Sequence, residues 1–297
     1  MSKFLQFLLV TALLSAPTLR FHRFALHAQE APQAAVPPGY LLAWSDEFNS
    51  PDGTTPDPAK WTYDLGGEGW GNHELEFYTD HPQNAQIKSG NLVITAQKEI
   101  TPRANGERRQ YTSARIKTKN FFSQAYGRFE ARMKIPKGEG MWPAFWMLGD
   151  DISSVGWPRC GEIDIMENIG KEPAAVHASL HGAGDPTTKA KTADLTLKFS
   201  LPGNPALSDD FHVYAVEWEP SRLRFFIDQS NYVTFTREQW PANAPWPFDH
   251  KFFIILNLAV GGDWPGPPDA NTIFPQQMLV DYVRVYTSKL NAMGGER

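Results

Sequence analysis

Between residues 127 and 135 the chain alternates strictly: Phe129, Ala131, Met133 and Ile135 fall on one side, Arg128, Glu130, Arg132 and Lys134 on the other. Successive side chains of an extended backbone point to opposite faces, so this spacing predicts a strand with one face in a core. Similar segments predict strands over residues 92–97, 111–117, 211–217, 222–227, 252–259 and 278–286. Clusters of Gly, Pro, Asn and Asp separate them, as turns require. No long segment carries a helical period, and no internal repeat interrupts the series. Many short strands at this spacing predict an all-β fold, an antiparallel β-sandwich, in preference to a parallel α/β sheet.

The first residues follow a different rule. Lys3 precedes an apolar stretch over residues 4–14, broken only by Gln6 and Thr11, and small residues follow at Ser15, Ala16 and Ala28. That pattern predicts a signal peptide over residues 1–28, and the stretch is too short for the roughly 20 apolar residues of a membrane span. The Pro- and Ala-rich residues 29–39 read as a linker, and residues 40–297 as a single catalytic domain. The expected location is extracellular or periplasmic. Removing residues 1–28 takes away Lys3, Arg20 and Arg23 and no acid, so the net charge moves from −5 to −8. An acidic protein is a poor partner for nucleic acid or an anionic membrane, whereas a neutral polymer is acceptable. A monomer is expected. Cys160 is the only cysteine, which excludes an intrachain disulfide and any cysteine-based metal site. A small buried apolar role suits it.

The segment with the most chemistry is Gly161-Glu162-Ile163-Asp164-Ile165-Met166-Glu167. Glu162 and Asp164 share one face of a strand, and the isoleucines share the other. Strict alternation would then turn Glu167 into the core, where an unpaired carboxylate is costly. A one-residue β-bulge near Met166 returns it to the acidic face, and bulges of this kind re-aim side chains beside active sites. Three acids facing one cleft repel each other, so some must titrate abnormally. Glycoside hydrolysis needs that: one carboxylate ionised, one carboxyl protonated. Positions four apart on a regular strand are about 13 Å apart, and inward-leaning side chains can close this towards about 5.5 Å. The alternative is a solvated acidic face without chemistry. Trp142, Trp146 and Trp157 lie close by in sequence and offer flat apolar surfaces to a sugar. At least one of them is expected in the core, because Trp142 and Trp146 share parity with Ala144.

Two further features are read from the residues themselves. His177 and His181, four apart with Ser179 between them, would lie about 13 Å apart and cannot chelate one ion together. Asp281 falls, by alternation, on a face with Leu279, Val283 and Val285, where it needs a partner. A hydrogen bond or an arginine is one solution, and a structural calcium, which takes carboxylate and carbonyl oxygens, is the other.

Ordered blocks span nearly the whole expected domain. They run from Leu42-Ala43-Trp44-Ser45-Asp46-Glu47-Phe48 through Trp70-Gly71-Asn72, Ser113-Ala114-Arg115 and Met141-Trp142-Pro143-Ala144-Phe145-Trp146-Met147. Asn257-Leu258-Ala259-Val260-Gly261-Gly262 and Val280-Asp281-Tyr282-Val283-Arg284-Val285-Tyr286 complete the set. With the acidic strand, these blocks resemble glycoside hydrolase family 16, and within it the laminarinase-like endo-β-1,3-glucanases. The resemblance implies a jelly-roll sandwich with a concave sugar-binding cleft. It implies Glu162 as nucleophile, Glu167 as acid/base and Asp164 as the assistant that holds the nucleophile. Met166 matches the bulged motif of laminarinase-like members; licheninase-like members lack this residue. Asn72 and Arg115 would contact sugar, with an ordinary surface role as the alternative, and His181 would line the cleft beside the acids. Glu47 and the region of Gly90 would join Asp281 around one structural calcium, and no catalytic cofactor is implied. Residues 182–193 depart from the Gly- and Tyr-rich loop of laminarinases. The activity so implied is retaining, endo-acting hydrolysis of β-1,3-glucan or mixed β-1,3/1,4-glucan. Alternatives are a galactan hydrolase acting on agar or carrageenan, a wall transglycosylase, or a non-catalytic β-glucan-binding protein, although such binders typically lack the acids present here.

Overall fold

A computed structural model describes residues 36–102 and 108–289. The expected signal peptide and residues 29–35 of the linker lie outside that range. Two large antiparallel sheets make up the fold. One has Thr192–Ser200, Ala175–Ala183, Glu162–Glu167, Met141–Gly149, Phe252–Val260, Arg115–Lys117 and Thr62–Asp64 side by side. The other is built around Gly127–Lys134 and the long last strand Gln276–Ser288, which also pairs with Tyr40–Asp46. Phe129, Ala131 and Met133 from the second sheet meet Phe145, Met147, Ile163 and Ile254 from the first in one buried cluster. The alternation of apolar positions therefore places each strand's inner face, and by parity the outer face of the first sheet carries the site.

Three departures from the expected strands have physical causes. The segment expected as one strand over residues 111–117 breaks at Ala114. Tyr111–Ser113 pairs in parallel with Glu76–Tyr78, while Arg115–Lys117 joins the first large sheet. The polar face of Gly127–Lys134 is less exposed than alternation suggests: Arg128 and Glu130 are buried. Arg128 donates to Glu130 at 2.7 Å and to Glu217 at 3.1 Å, so charge pairing replaces water. In the last strand the register slips between Arg132 and Met133, where Asp281 is the extra residue. Beyond that bulge the inward positions are Val283 and Val285, and before it they are Met278 and Val280. Leu279 and Asp281 are thus off the core face, and Asp281 is half-exposed.

Candidate active site

The register of the first sheet sets three rows across its outer face. Glu162 lies opposite Leu148 on one side and His181 on the other; Asp164 lies between Trp146 and Ser179; Glu167 lies between Ala144 and His177. The middle row gives way to the third across a bulge. On the Met141–Gly149 side, Met166 pairs with Phe145 and Asp164 with Trp146, so Ile165 has no direct partner there. On the Ala175–Ala183 side, the step from Asp164 to Glu167 spans only Ser179 to His177. Ile165 and Met166 are both fully buried in the core. Two consecutive apolar side chains turned inward are what bring Glu167 back to the face of Glu162 and Asp164.

These acids lie on the floor of a cleft of about 380 Å³, walled by Trp70, Trp142, Trp146 and Trp157 and joined by Asn72 and Arg115. The Trp142 indole donates to Glu167 Oε1 at 2.9 Å, and the Trp157 indole donates to Glu162 Oε2 at 2.7 Å. Trp157 is 54% exposed. None of the three tryptophans is in the main core, contrary to expectation: the shared parity with Ala144 is the parity of the cleft. Trp146 packs against a small separate cluster of Leu148, Cys160, Phe253 and Ile255 beside it. Cys160 is buried there, and burial pushes its thiol up to about 11.

Burial, then the charge of Asp164, pushes Glu162 up to about 8; the positive charge of His181 works in the other direction. Glu167 is raised well above the usual carboxylate range by burial and by the charges of Asp164 and Glu162. His181 lies beside these acids. Its Nε2 is 3.1 Å from Asp164 Oδ2 and its Nδ1 is 2.5 Å from Asp194 Oδ1. Burial opposes its charge, but the hydrogen bond and charge of Asp164, helped by Glu162 and Asp194, push it up to about 11. Among the described residues, Glu162, Asp164 and His181 form the one group of acids and histidines whose donor atoms, all within 4.8 Å of one another, could surround a metal. A histidine with a carboxylate at each ring nitrogen is a cation and not a ligand, so this donor set does not suit a metal. His177 is separate. It meets Glu172 at 3.1 Å and packs edge-on against Trp264, which in turn packs on Trp142.

Asn72 and Arg115 both reach the cleft. The Arg115 guanidinium lies between the rings of Trp70 and Trp146, at 4.9 and 4.7 Å, and pairs with Asp64 at 3.0 Å. Asn72 donates to Glu74 Oε1 at 3.2 Å. Here the structure adds residues that sequence reasoning missed. Tyr78 donates to Glu74 Oε2 at 3.1 Å, Asn257 donates to the Tyr78 oxygen at 3.1 Å, and the Trp146 indole donates to Asn257 Oδ1 at 2.7 Å. Beneath them Glu76, fully buried, accepts from the backbone of Val260 at 2.6 Å. Burial raises both Glu74 and Glu76, with the charge of Glu74 adding to the rise at Glu76. A signal existed: Glu74, Glu76 and Tyr78 alternate with Leu75 and Phe77. Here the polar face is the buried one, opposite to the usual reading of such a pattern.

On the second sheet, both acids proposed for calcium are turned to arginines. Glu47 accepts from Arg284 through both oxygens, at 3.0 and 2.7 Å, and Asp281 accepts from Arg132 at 2.8 Å. Gly90, in the turn between Ala85–Lys88 and Asn91–Ala96, has φ of 70° and serves the hairpin. The carboxylate oxygens paired with these guanidinium groups are not free for calcium, which would have to draw on the other Asp281 oxygen, backbone carbonyls and water. Of the two solutions open to Asp281, the arginine pair is the one these contacts carry.

Residues 72–284 match the family described as Glycosyl hydrolases family 16. A beta-glucanase of Rhodothermus marinus is 45% identical over 258 residues, covering 84% of this chain and 86% of that protein. The catalytic domain of an endo-1,3-beta-glucanase (laminarinase) from Thermotoga petrophila RKU-1 superposes with a TM-score of 0.77 at 44% identity, covering 84% of this chain and 98% of that one. The endo-beta-1,3-glucanase of Pyrococcus furiosus gives a TM-score of 0.77 at 46% identity, covering 84% and 94%.

Proposed function

The chain belongs to glycosyl hydrolase family 16, and from that membership we propose that it is a retaining endo-hydrolase of β-1,3-glucan, with mixed β-1,3/1,4-glucan as a second substrate. The observation that carries the reading is the bulge at Ile165 and Met166, which gathers Glu162, Asp164 and Glu167 on the floor of an aromatic cleft. Glu162 attacks the anomeric carbon and Glu167 protonates the departing oxygen. The two indoles fix one oxygen of each glutamate, which holds both in place without adding a cation beside them.

The proton inventory follows from the charges. Glu167 keeps its proton while Asp164 and an ionised Glu162 face it. Once Glu162 is bonded to sugar its charge is gone, the repulsion at Glu167 falls, and so does its pKa. Glu167, having given up its proton, then takes one from water in the second step. Carboxyl groups do all of this, and no cofactor is needed. The glucan assignment draws on the names of relatives 44–46% identical to this chain. The amino-terminal pattern supports export, so the polymer would be met outside the cytoplasm.

Incubation with laminarin, lichenan, agarose and carrageenan, scored as new reducing ends, tests the substrate. Rapid release from laminarin, slower release from lichenan and none from the galactans is expected. Release from a galactan alone would overturn the glucan assignment.

A further inference from the structure

The row that holds Glu162 continues outward through His181 to Asp194, on the strand Thr192–Ser200 at the edge of the sheet. Each is opposite the next across its ladder, so all three side chains emerge on the cleft face. His181 is held from both sides, with Asp164 at Nε2 and Asp194 at Nδ1. A neutral imidazole has a single N–H and can donate to only one of them; satisfying both requires the imidazolium. Asp194 is itself fixed, because Thr192 Oγ1 donates to its other oxygen at 2.9 Å. The charged groups that face the ring are Glu162, Asp164 and Glu167 from Glu162–Glu167, and Asp194 from the edge strand. On the other side of Glu162–Glu167, the opposed residues Leu148 and Trp146 bring no charge.

We propose that Asp194 is a positioning residue: it holds the His181 imidazolium against Asp164, and that cation lets Glu162 carry the charge it needs to attack. The inference rests on the reading of Glu162 as nucleophile. Its cause is orientation together with charge. With Nδ1–H committed to Asp194, Nε2 is held 3.1 Å from Asp164 Oδ2. Without Asp194, Asp164 and Glu162 still favour the cation, but the ring is free to turn and carry that charge away from the acids. Glu162 would then hold its proton to higher pH. A plain surface ion pair on an edge strand would do none of this.

The test combines ¹⁵N NMR of His181 with the pH dependence of kcat/KM in the whole protein, for wild type, Asp194→Asn, Asp194→Glu and Thr192→Val. Wild type should keep both ring nitrogens protonated at about pH 8, and Asp194→Asn should shift the His181 ring resonances and lower the pH at which the ring loses its proton. In Asp194→Asn the acid limb should move upward by roughly half to one pH unit, with the alkaline limb in place and KM within about twofold. Asp194→Glu should restore both readouts, and Thr192→Val, which leaves Asp194 in place, should move them less and in the same direction. His181 ring resonances and titration that are unchanged in Asp194→Asn, or an acid limb that stays in place when they change, would overturn the proposal. Failure of the nucleophile assignment reads differently: Glu162→Gln would keep its turnover while the NMR result stood.

Discussion

At Glu162, burial and the charge of Asp164 lift the carboxyl from 4.5 to about 8. Between those values the unfolded chain has released a proton that the folded chain retains, so stability falls as pH rises through that window. Glu162→Gln is therefore expected to raise Tm at about pH 8, by roughly 2–4 °C for each kcal/mol recovered, and to give no gain near pH 4. Calorimetry at the two pH values checks this, and an equal gain at both would mean that shape and not charge is responsible. Glu167→Gln should behave in the same direction. The three acids were legible in the sequence because they made a conflict: alternation would have buried Glu167, and the cost of that demanded an explanation. Glu74 and Asn257 made no conflict. Their roles depend on hydrogen bonds to Tyr78 and Trp146, partners remote in the chain or brought together by folding.

The bulged strand shows what an element can reveal before folding is known. Ile165 and Met166 are both buried, so the irregularity is supported by apolar packing as much as by the acids it serves. Met166→Ala is expected to cost about 2–5 kcal/mol of stability through the cavity it leaves, with retained product stereochemistry; denaturant unfolding measures the first. A loss below about 1 kcal/mol would mean that Met166 is not part of the packing that holds the bulge. The second bulge, at Asp281, could not be read. Leu279 and Val280 are both apolar, so the sequence looks equally regular with either facing inward, and only the pairing with Arg132 and Met133 decides. That slip changes the fate of Asp281 from a buried acid needing a partner to a half-exposed acid held by Arg132. Added calcium should accordingly leave the Tm of metal-stripped protein unchanged. A rise with calcium that Asp281→Asn abolishes would show that the acid leaves its arginine for an ion.

Across the whole molecule, the sandwich was legible from alternation, while the order of its strands was not. The site takes residues from Arg115–Lys117, Met141–Gly149, Glu162–Glu167 and Phe252–Val260, and only the pairing of distant strands places Asn257 and Glu167 on either side of Ala144. Net charge also acts at this scale. The chain carries −5 and the cleft floor is acidic, so a neutral polymer is neither steered nor repelled. Turnover of laminarin should change little as salt rises from low to high ionic strength; a steep dependence would point to a charged substrate. The assignment of two carboxyl groups to a double displacement has the sharpest consequence, because two inversions at the anomeric carbon leave its configuration as it began. Proton NMR of laminarin hydrolysis, recorded before mutarotation sets in, reads that configuration directly. The β-anomer should appear first and convert later; initial release of the α-anomer would contradict the account.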